Sequence, residues 1–496
     1  MGAPAYVLAI DQGTTSTRAI LFDEEGRARR TAQRALRQHH PRPGWVEHDP
    51  EEIWRSVLDT CREAAAAADG RVAAIGIADQ RETTLLWERE TGRPVGNAIV
   101  WQDRRTAELC RHWQEEGLAP LVEARTGLVI DPYFSASKVA WLLDATPGLE
   151  RRARDGEILF GTIDSFLIWR LTGGRAHATD VTNACRTMLF DIERLEWDEE
   201  LLAAFGIPRA LLPEPRDNDA RFGQATRELL GGAVPITGVA GDQQAALVGQ
   251  ACFAPGMVKS TYGTGAFALL NTGGMRARSR HRLLSTIGYR LGGATAYALE
   301  GSIFVAGAAV GWLRDRLGIF ENAAQSETLA RAADPRQRVH LVPGFAGLGA
   351  PYWAPAARGA ILGLTAECGA AEIARASLEA VGHQTADLVA AMAADAGVAV
   401  STLRVDGGMA VNDWAMQFVA DIVPASVERP AYIETTAWGA AYLAGLAVGI
   451  YPAPAEMAAK WSPAARFTPQ MSEEERAERR AGWGRAVAAV LAAAGP

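Results

Sequence analysis

Apolar and polar residues alternate in blocks at the start of the chain, and the blocks predict two strands joined by a polar turn. The apolar segments YVL (residues 6–8) and AILF (residues 19–22) enclose the turn, which holds Gly13 and four consecutive hydroxyl residues at 14–17. Glycine lets the backbone amides point inward, and the hydroxyl groups add hydrogen-bond donors. This pattern favours a hairpin that can bind phosphate, although an ordinary hairpin with a glycine turn looks the same.

A second copy of this plan lies about half a chain later. The segment KSTYGTGAFALL (residues 259–270) again gives a strand, a turn of Gly and Thr residues, and an apolar strand. Two such turns indicate two lobes that face one nucleotide.

The remaining pattern near the start is that of an α/β protein. A turn at residues 23–27 leads to a polar third strand, and Asp49 with Pro50 begins a helix. Residues 72–78 form a short apolar run, which predicts a buried strand with the polar cluster 79–83 at its carboxyl end. Ligands of open α/β sheets bind at such ends.

Two further glycine-rich strand ends carry candidate functional residues. Residues 236–244 present Asp242 and two glutamines, although Asp242 could instead be the N-cap of the helix that follows. Residues 403–412 predict a strand that ends in an acid and paired glycines, which would let a flat adenine and its ribose approach the backbone. Residues 306–313 predict a tightly packed helix that contains glycine.

Composition narrows the classes of function. The 496 residues are 48% hydrophobic and 22% charged, as in a globular protein, and the net charge of -8 argues against a nucleic-acid or anionic-membrane partner. The five cysteines have no zinc-site spacing. The longest uncharged run, residues 437–455, is mostly Ala and Gly and favours a buried helix over a membrane span. No secretory leader pattern opens the chain, so we expect a cytoplasmic protein.

Several nucleotide and hydrolase motifs are missing from the sequence. It has no P-loop, no G-x-G-x-x-G after a strand, no protein-kinase motif set and no G-x-S-x-G, so any nucleotide is held in another way. The aromatic residues Trp101 and Tyr133 each follow an apolar segment. Taken alone, such rings indicate core packing more often than ligand contact.

Seven motifs distributed along the whole chain make it similar to the glycerol kinases of the FGGY carbohydrate kinase family, in the actin-like ATPase superfamily. They are DQGTTS (11–16), PGWVEHDP (43–50), QRET (80–83), DPYFS (131–135), GDQQ (241–244), YGTG (262–265) and DGG (406–408). The resemblance implies an α/β fold of two ribonuclease-H-like domains with a deep cleft between them. We place these domains at residues 1–248 and 249–496.

The resemblance also implies an activity and its partners. The expected reaction transfers the γ-phosphoryl group of ATP to the terminal hydroxyl group of glycerol, which gives sn-glycerol 3-phosphate, with Mg²⁺ as cofactor. The expected assembly is a homo-oligomer of two or four subunits.

Individual site residues follow from the same resemblance. Asp242 would orient the attacking hydroxyl group and accept its proton, and Asp11 with Asp242 would hold magnesium against the phosphates. Glycerol, an uncharged triol, would be bound by the donors, acceptors and rings of Arg81, Glu82, Trp101, Tyr133, Asp242, Gln243 and Phe267. The nucleotide would contact Thr14, Thr15, Ser16, Arg18, Thr264, Gly307, Gly311, Gly408 and Asn412.

Three positions depart from the family pattern. Asp79 stands where relatives commonly have Asn, which predicts an added negative charge near the substrate. Gly311 stands where many relatives place a Gln beside the nucleotide. The segment 221–235 is short and has no His, so the phosphorylation or sugar-phosphate control of some relatives does not transfer to this chain.

Two alternative functions stay open from the sequence. A sibling FGGY kinase for a pentulose or erythritol would share the ATP motifs, but it would not be expected to have the QRET motif together with Trp101. An actin-like or chaperone ATPase without kinase activity would hydrolyse ATP independently of glycerol.

Overall fold

The computed structural model describes residues 4–495, which form two large mixed sheets covered by helices. The predicted domain limits at residues 1 and 496 lie outside the described residues. The strands are β1 (Ala5–Gln12), β2 (Ser16–Phe22), β3 (Ala28–Ala35), β4 (Glu47–His48), β5 (Arg71–Asp79), β6 (Leu85–Glu88), β7 (Ala98–Ile99), β8 (Ile158–Gly161), β9 (Ala178–Asp180), β10 (Phe190–Asp191), β11 (Glu196–Trp197), β12 (Glu214–Arg216), β13 (Gly223–Ala225), β14 (Val234–Gly241), β15 (Val258–Tyr262), β16 (Ala266–Gly273), β17 (Leu284–Leu291), β18 (Ala294–Ile303), β19 (His340–Val342), β20 (Ala360–Leu362), β21 (Thr402–Asp406), β22 (Ser426–Pro430) and β23 (Pro463–Phe467).

The helices lie mostly between these strands, as expected of an α/β protein. They are α1 (Pro50–Ala65), α2 (Ala107–Glu115), α3 (Ala119–Thr126), α4 (Ser135–Ala145), α5 (Leu149–Arg154), α6 (Ile163–Leu171), α7 (Val181–Ala184), α8 (Glu199–Phe205), α9 (Arg227–Leu230), α10 (Asp242–Gly249), α11 (Gly307–Asp315), α12 (Gln325–Ala332), α13 (Ala370–Ala396), α14 (Asp413–Ile422), α15 (Thr435–Ala447), α16 (Pro454–Lys460) and α17 (Glu473–Ala494). The predicted division after residue 248 falls in the last turn of α10 and stays a prediction.

The first sheet has the strand order β13-β14-β5-β1-β2-β3. Strands β1, β2 and β3 form the predicted antiparallel meander, and β5 and β14 continue it in parallel. The register pairs Asp79 with both Gln12 and Gly241. The carboxyl ends of three strands therefore meet at one edge, where the following loops carry candidate site residues.

The second sheet repeats the central part of this plan in the order β17-β18-β16-β15-β21-β22-β23. Its hairpin β15-β16 corresponds to β1-β2, and the parallel strands β21 and β22 correspond to β5 and β14. The predicted repeat of strand, Gly/Thr turn and strand is confirmed.

Helix α15 belongs to the second half of the chain but packs on the first sheet. Its alanines at 437, 440, 441 and 444 share a buried cluster with Val7 and Ala9 of β1. The approach is close because small residues face each other: a Cβ atom built on Gly76 of β5 would lie 2.1 Å from the carbonyl oxygen of Ala440. The uncharged run thus begins in a buried helix, as predicted, and continues beyond the end of this helix at Ala447. Within residues 4–495, each helix is too short or too polar to span a bilayer.

Candidate active site

The carboxyl edge of the first sheet brings Arg81 and Asp242 together. Strand β14 ends at Gly241, and Asp242 is the first residue of α10, so the N-cap position belongs to Gly241 and not to Asp242. The Asp242 carboxylate accepts a hydrogen bond from the amide of Gln243 at 2.7 Å and lies 3.2 Å from Nε of Arg81. The Asp242 side chain is 31% exposed, whereas Arg81 is 2% exposed, so the carboxylate is the accessible member of the pair.

Behind this pair, four side chains of alternating charge form a buried ring. We use "charged ring" for Arg81, Glu82, Arg186 and Glu300. Nε of Arg186 donates to Glu82 at 2.7 Å, and Nη2 of Arg186 donates to Glu300 at 2.8 Å. Both terminal nitrogens of Arg81 also donate to Glu300, at 2.5 and 3.1 Å. The fourth contact, which closes the ring, is 3.8 Å between Nε of Arg81 and Oε1 of Glu82.

The two acids of the charged ring differ in their pKa values. Burial raises the pKa of both, but two guanidinium groups, those of Arg186 and Arg81, outweigh burial at Glu300 and bring its pKa down to about 2. At Glu82, burial outweighs the attraction of Arg81 and Arg186, so its pKa stays above the usual range. Glu82 also has a φ of 57°, a left-handed backbone conformation that is costly for a residue other than glycine. The surrounding structure therefore holds the Glu82 backbone in this conformation.

Aromatic rings line the approach to Arg81. The Trp101 ring packs edge-on against Tyr133 and Phe267, with centroid distances of 5.6 and 6.4 Å. The indole N–H of Trp101 donates to the Thr14 hydroxyl group at 2.9 Å, which ties the ring to the first hairpin turn. The Tyr133 hydroxyl oxygen lies 3.5 Å from Nη2 of Arg81. Three predicted glycerol residues thus form one aromatic cluster that joins the two halves of the chain.

Gln243 contacts a buried lysine, Lys259, for which the sequence pattern predicts no functional role. Nζ of Lys259 on β15 donates to Oε1 of Gln243 at 2.5 Å, and Lys259 is fully buried. An ammonium group only donates, so the amide oxygen of Gln243 faces Lys259 and its amino group points elsewhere. Gln243 can therefore offer donors to a ligand.

The first hairpin turn carries the predicted phosphate contacts. Its backbone closes with a bond from the Gly13 amide to the Ser16 carbonyl oxygen at 3.0 Å. Thr15 is exposed, and the Ser16 hydroxyl group accepts a hydrogen bond from Gln33 at 3.0 Å. The Arg18 guanidinium group is bound by Glu434, which precedes α15. A phosphate that approaches Arg18 therefore competes with a carboxylate from the second half of the chain.

The donor set around Asp11 fits a hard cation such as Mg²⁺. Burial raises the pKa of Asp11 to about 7, and Asp242 and Glu434 add to the effect, while Arg18 opposes it from 3.8 Å away. In residues 4–495 no hydrogen bond to this carboxylate is formed, and no group of three or more His, Cys, Asp or Glu residues is arranged to hold a metal. Magnesium is commonly held by one or two carboxylates together with substrate phosphates, which is what Asp11 and Asp242 could provide.

The second hairpin turn packs on the start of α11. The amides of Gly307 and Ala308 donate to the carbonyl oxygens of Gly263 and Thr264, both at 3.0 Å. A Cβ atom on Gly307 would lie 2.6 Å from the Gly263 oxygen, so this contact requires glycine. Gly311, one turn along α11, faces open space, since a Cβ atom built there would meet no atom within 4 Å.

The paired glycines after β21 also approach the second hairpin. Gly407 has a φ of 87°, and a Cβ atom there would lie 2.5 Å from the Tyr262 carbonyl oxygen. Gly408 faces open space. The Asn412 side chain accepts a hydrogen bond from the Ala415 amide at 2.9 Å and so caps α14. Of the predicted nucleotide residues in this segment, Gly408 leaves the most room for a ligand.

Asp79 is fully buried beside the site and is not on its accessible surface. Its carboxylate accepts hydrogen bonds from Asn183 at 2.8 Å and from the Asp164 amide at 3.2 Å. Burial and the neighbouring Asp164 raise its pKa well above the usual range. Its surroundings therefore disfavour the negative charge that the sequence predicts at this position.

Comparison with known proteins identifies the family. The model for the N-terminal domain of the FGGY family of carbohydrate kinases matches residues 6–249, and the model for the C-terminal domain matches residues 258–448. The chain belongs to the FGGY family of carbohydrate kinases. It is 60% identical to a glycerol kinase from Methylobacterium nodulans over 98% of each chain. It is 58% identical to one from Cereibacter sphaeroides, over 98% of this chain and all of the other.

Solved structures support the same family assignment. The crystal structure of Plasmodium falciparum glycerol kinase with ADP matches with a TM-score of 0.94 and 36% identity, over 99% of each chain. A gluconate kinase from Lactobacillus acidophilus matches with a TM-score of 0.89 at 22% identity, over 99% of each chain, which shows the fold alone. The fold class is confirmed: two sheet-containing α/β domains with the actin-like ATPase fold of FGGY kinases.

Proposed function

We propose that this FGGY kinase transfers the γ-phosphoryl group of ATP to glycerol and forms sn-glycerol 3-phosphate. The observation that carries the proposal is the similarity to glycerol kinases, 60% and 58% identity over 98% of the chain. The arrangement of the candidate site agrees with it, because Arg81 joins the accessible carboxylate of Asp242 to the buried acids and to the hydroxyl group of Tyr133. Such an arrangement suits a small, uncharged polyol.

Asp242 is our candidate for the group that activates glycerol. Its carboxylate is the accessible acid beside Arg81, and it lies at the start of α10. A hydroxyl group bound there would donate to Asp242 and give up its proton as the new O–P bond forms. Arg81 and Glu82 would hold the other hydroxyl groups, and the rings of Trp101 and Phe267 would face the carbon atoms.

Residues from both halves of the chain would bind the phosphates. Thr14, Thr15, Ser16 and Arg18 would donate from the first hairpin, and Thr264 from the second. Gly307, Gly311, Gly408 and Asn412 would adjoin the nucleotide. A Mg²⁺ ion bound to Asp11 and Asp242 would neutralise phosphate charge. A homo-oligomer of two or four subunits and a cytoplasmic location remain predictions.

A coupled assay of ADP release tests the proposal. We expect release to depend on glycerol and on Mg²⁺, with glycerol used better than erythritol, xylulose or gluconate. A higher kcat/KM for a larger sugar would favour the sibling-kinase alternative. ADP release that does not depend on any polyol would favour an actin-like ATPase.

A further inference from the structure

Two members of the charged ring, Arg186 and Glu300, have no role assigned so far. Arg186 follows the short helix α7, and Glu300 lies on β18 in the second half of the chain. Both side chains have an exposed fraction of 0%. Every acid of the ring lies between two arginines, and every arginine lies between two acids.

We infer that Arg186 and Glu300 are positioning residues for glycerol, which fix the side chains of Arg81 and Glu82 in the orientation that binds the triol. This inference rests on the proposed function. It assigns the two residues an indirect role, because they act through the two side chains that would touch the substrate.

The orientation of Arg81 depends on Glu300. The two carboxylate oxygens of Glu300 take one terminal nitrogen each, at 2.5 and 3.1 Å, which fixes the plane of the guanidinium group. Nε of Arg81 is then left to face Asp242 at 3.2 Å. Without Glu300, the Arg81 side chain could rotate and pair with Asp242 through its terminal nitrogens. Arg81 would then lose its position, and Asp242 would be drawn away from a bound hydroxyl group.

The orientation of Glu82 depends on Arg186 in the same way. Nε of Arg186 is 2.7 Å from Oε1 of Glu82, while Arg81 is farther away at 3.8 Å. Burial favours the protonated acid, and the close guanidinium group of Arg186 opposes this effect while it orients the Glu82 carboxyl group. A lysine at 186 would keep the charge but could not span Glu82 and Glu300 with two separate nitrogens.

The ring is better explained by function than by stability. Buried ion pairs contribute little to folding compared with apolar residues of the same volume. In residues 4–495, Nη1 of Arg186 is buried without a hydrogen-bond partner, so even the pairing inside the ring is incomplete. An arrangement that contributes little stability and lies beside the accessible carboxylate of Asp242 is typical of a substrate site.

A second buried acid with two arginine partners supplies a matched control. Glu379 on α13 pairs with Arg479 at 2.9 Å and with Arg375 at 3.5 Å, and its side chain is 7% exposed. Its two arginine partners belong neither to the charged ring nor to the predicted glycerol residues. Glu379→Gln therefore removes the same kind of charge as Glu300→Gln without touching the charged ring.

The experiment compares steady-state kinetics of the full-length wild-type chain, Glu300→Gln, Arg186→Lys and Glu379→Gln. For Glu300→Gln we expect the KM for glycerol to rise about 10- to 100-fold while the KM for ATP stays within about threefold. For Arg186→Lys we expect a rise of about 3- to 10-fold in the KM for glycerol alone. Glu379→Gln should lower the melting temperature and leave both KM values unchanged.

Each outcome decides the inference. Unchanged glycerol KM values in both ring variants, or equal rises for glycerol and ATP, would overturn it. If Glu300→Gln does not fold, Arg186→Lys, which keeps the charge, decides alone. Failure of the proposed function is a separate result, because the wild-type chain itself would then show no glycerol-dependent ADP release. That result would overturn the inference as well.

Discussion

The two halves of the molecule contribute to the candidate site in different ways. The first half supplies mainly side chains at strand ends, among them Arg81, Trp101 and Asp242. In the predicted nucleotide region the second half supplies mainly backbone, because Gly307 and Gly407 pack against the turn and strand of the second hairpin at distances that exclude a Cβ atom. Binding of an uncharged polyol requires specific side-chain donors and acceptors. Backbone amides, in contrast, can bind phosphates, and backbone without side chains leaves room for a flat ring. Substitutions of Asp242 and Arg81 should therefore affect glycerol and chemistry, and substitutions of the glycines on α11 should affect the nucleotide.

The largest expected effect is that of Asp242→Asn. Asn keeps the size of the side chain and can still accept the hydrogen bond from the Gln243 amide. It cannot accept a proton, so kcat should fall by about 10² to 10⁴ while the affinity for ATP stays similar. Rapid-quench or coupled kinetics with an ATP titration measures both. A kcat within threefold of the wild type would show that Asp242 is not the base.

The next largest effect is expected at Asp11, where loss of the carboxylate should raise the stability of the fold and lower the activity. Its pKa is raised by burial to about 7, so the folded chain keeps a proton that the unfolded chain loses near pH 4. The contribution of Asp11 to the free energy of unfolding therefore falls as the pH rises from about 4 to 7 and stays low above that range.

Asp11→Asn removes this cost. We expect the free energy of unfolding to rise by about 1–4 kcal/mol at pH 8, with a smaller rise at pH 5. Because a bound cation is worth several kcal/mol, loss of a magnesium ligand should lower kcat by roughly 10². Denaturant unfolding at the two pH values and kinetics at varied Mg²⁺ provide the test. A variant with neither higher stability nor altered Mg²⁺ dependence would remove Asp11 from the metal site.

A smaller effect is expected from Gly307→Ala in the second half. The added methyl group would lie 2.6 Å from the Gly263 oxygen, so the hairpin turn or the start of α11 must move. We expect the KM for ATP to rise about tenfold, since overpacking costs about 1–3 kcal/mol, with little change in the KM for glycerol. Gly311→Ala on the same helix is the matched control, because its methyl group meets open space. Equal effects of both variants on the KM for ATP would contradict the close packing of Gly307 on Gly263.

The local parts of this arrangement could be predicted from the sequence. Both hairpins, the start of α1 and the buried α15 follow from hydrophobic periodicity and turn residues within short segments. Arg186, Glu300 and Lys259 could not be found in this way, because their partners lie on other elements, between 16 and 219 residues away in the chain. Glu300, for example, lies 219 residues from Arg81 and 114 from Arg186. The one available signal was a lone acid within the apolar strand β18. Likewise, the composition of α15 predicts burial, but not which sheet covers it.

The smallest expected effect tests the placement of α11 beside the nucleotide. Gly311 lacks the side chain that many relatives place there, and the structure leaves open space above it. Gly311→Gln should therefore not clash, and it should stabilise the helix slightly, because Gln has a higher helix propensity than Gly.

If the new amide reaches the nucleotide, one neutral hydrogen bond of about 0.5–1.5 kcal/mol should lower the KM for ATP two- to tenfold and leave the KM for glycerol unchanged. Gly311→Ala gives the same gain in helix propensity without an amide, so the difference between the two variants isolates the hydrogen bond. ATP titrations and thermal melting of both variants measure this difference. Identical KM values for ATP in the Gln and Ala variants would mean that Gly311 does not adjoin the nucleotide, and α11 would then contact only the hairpin turn and not the ligand.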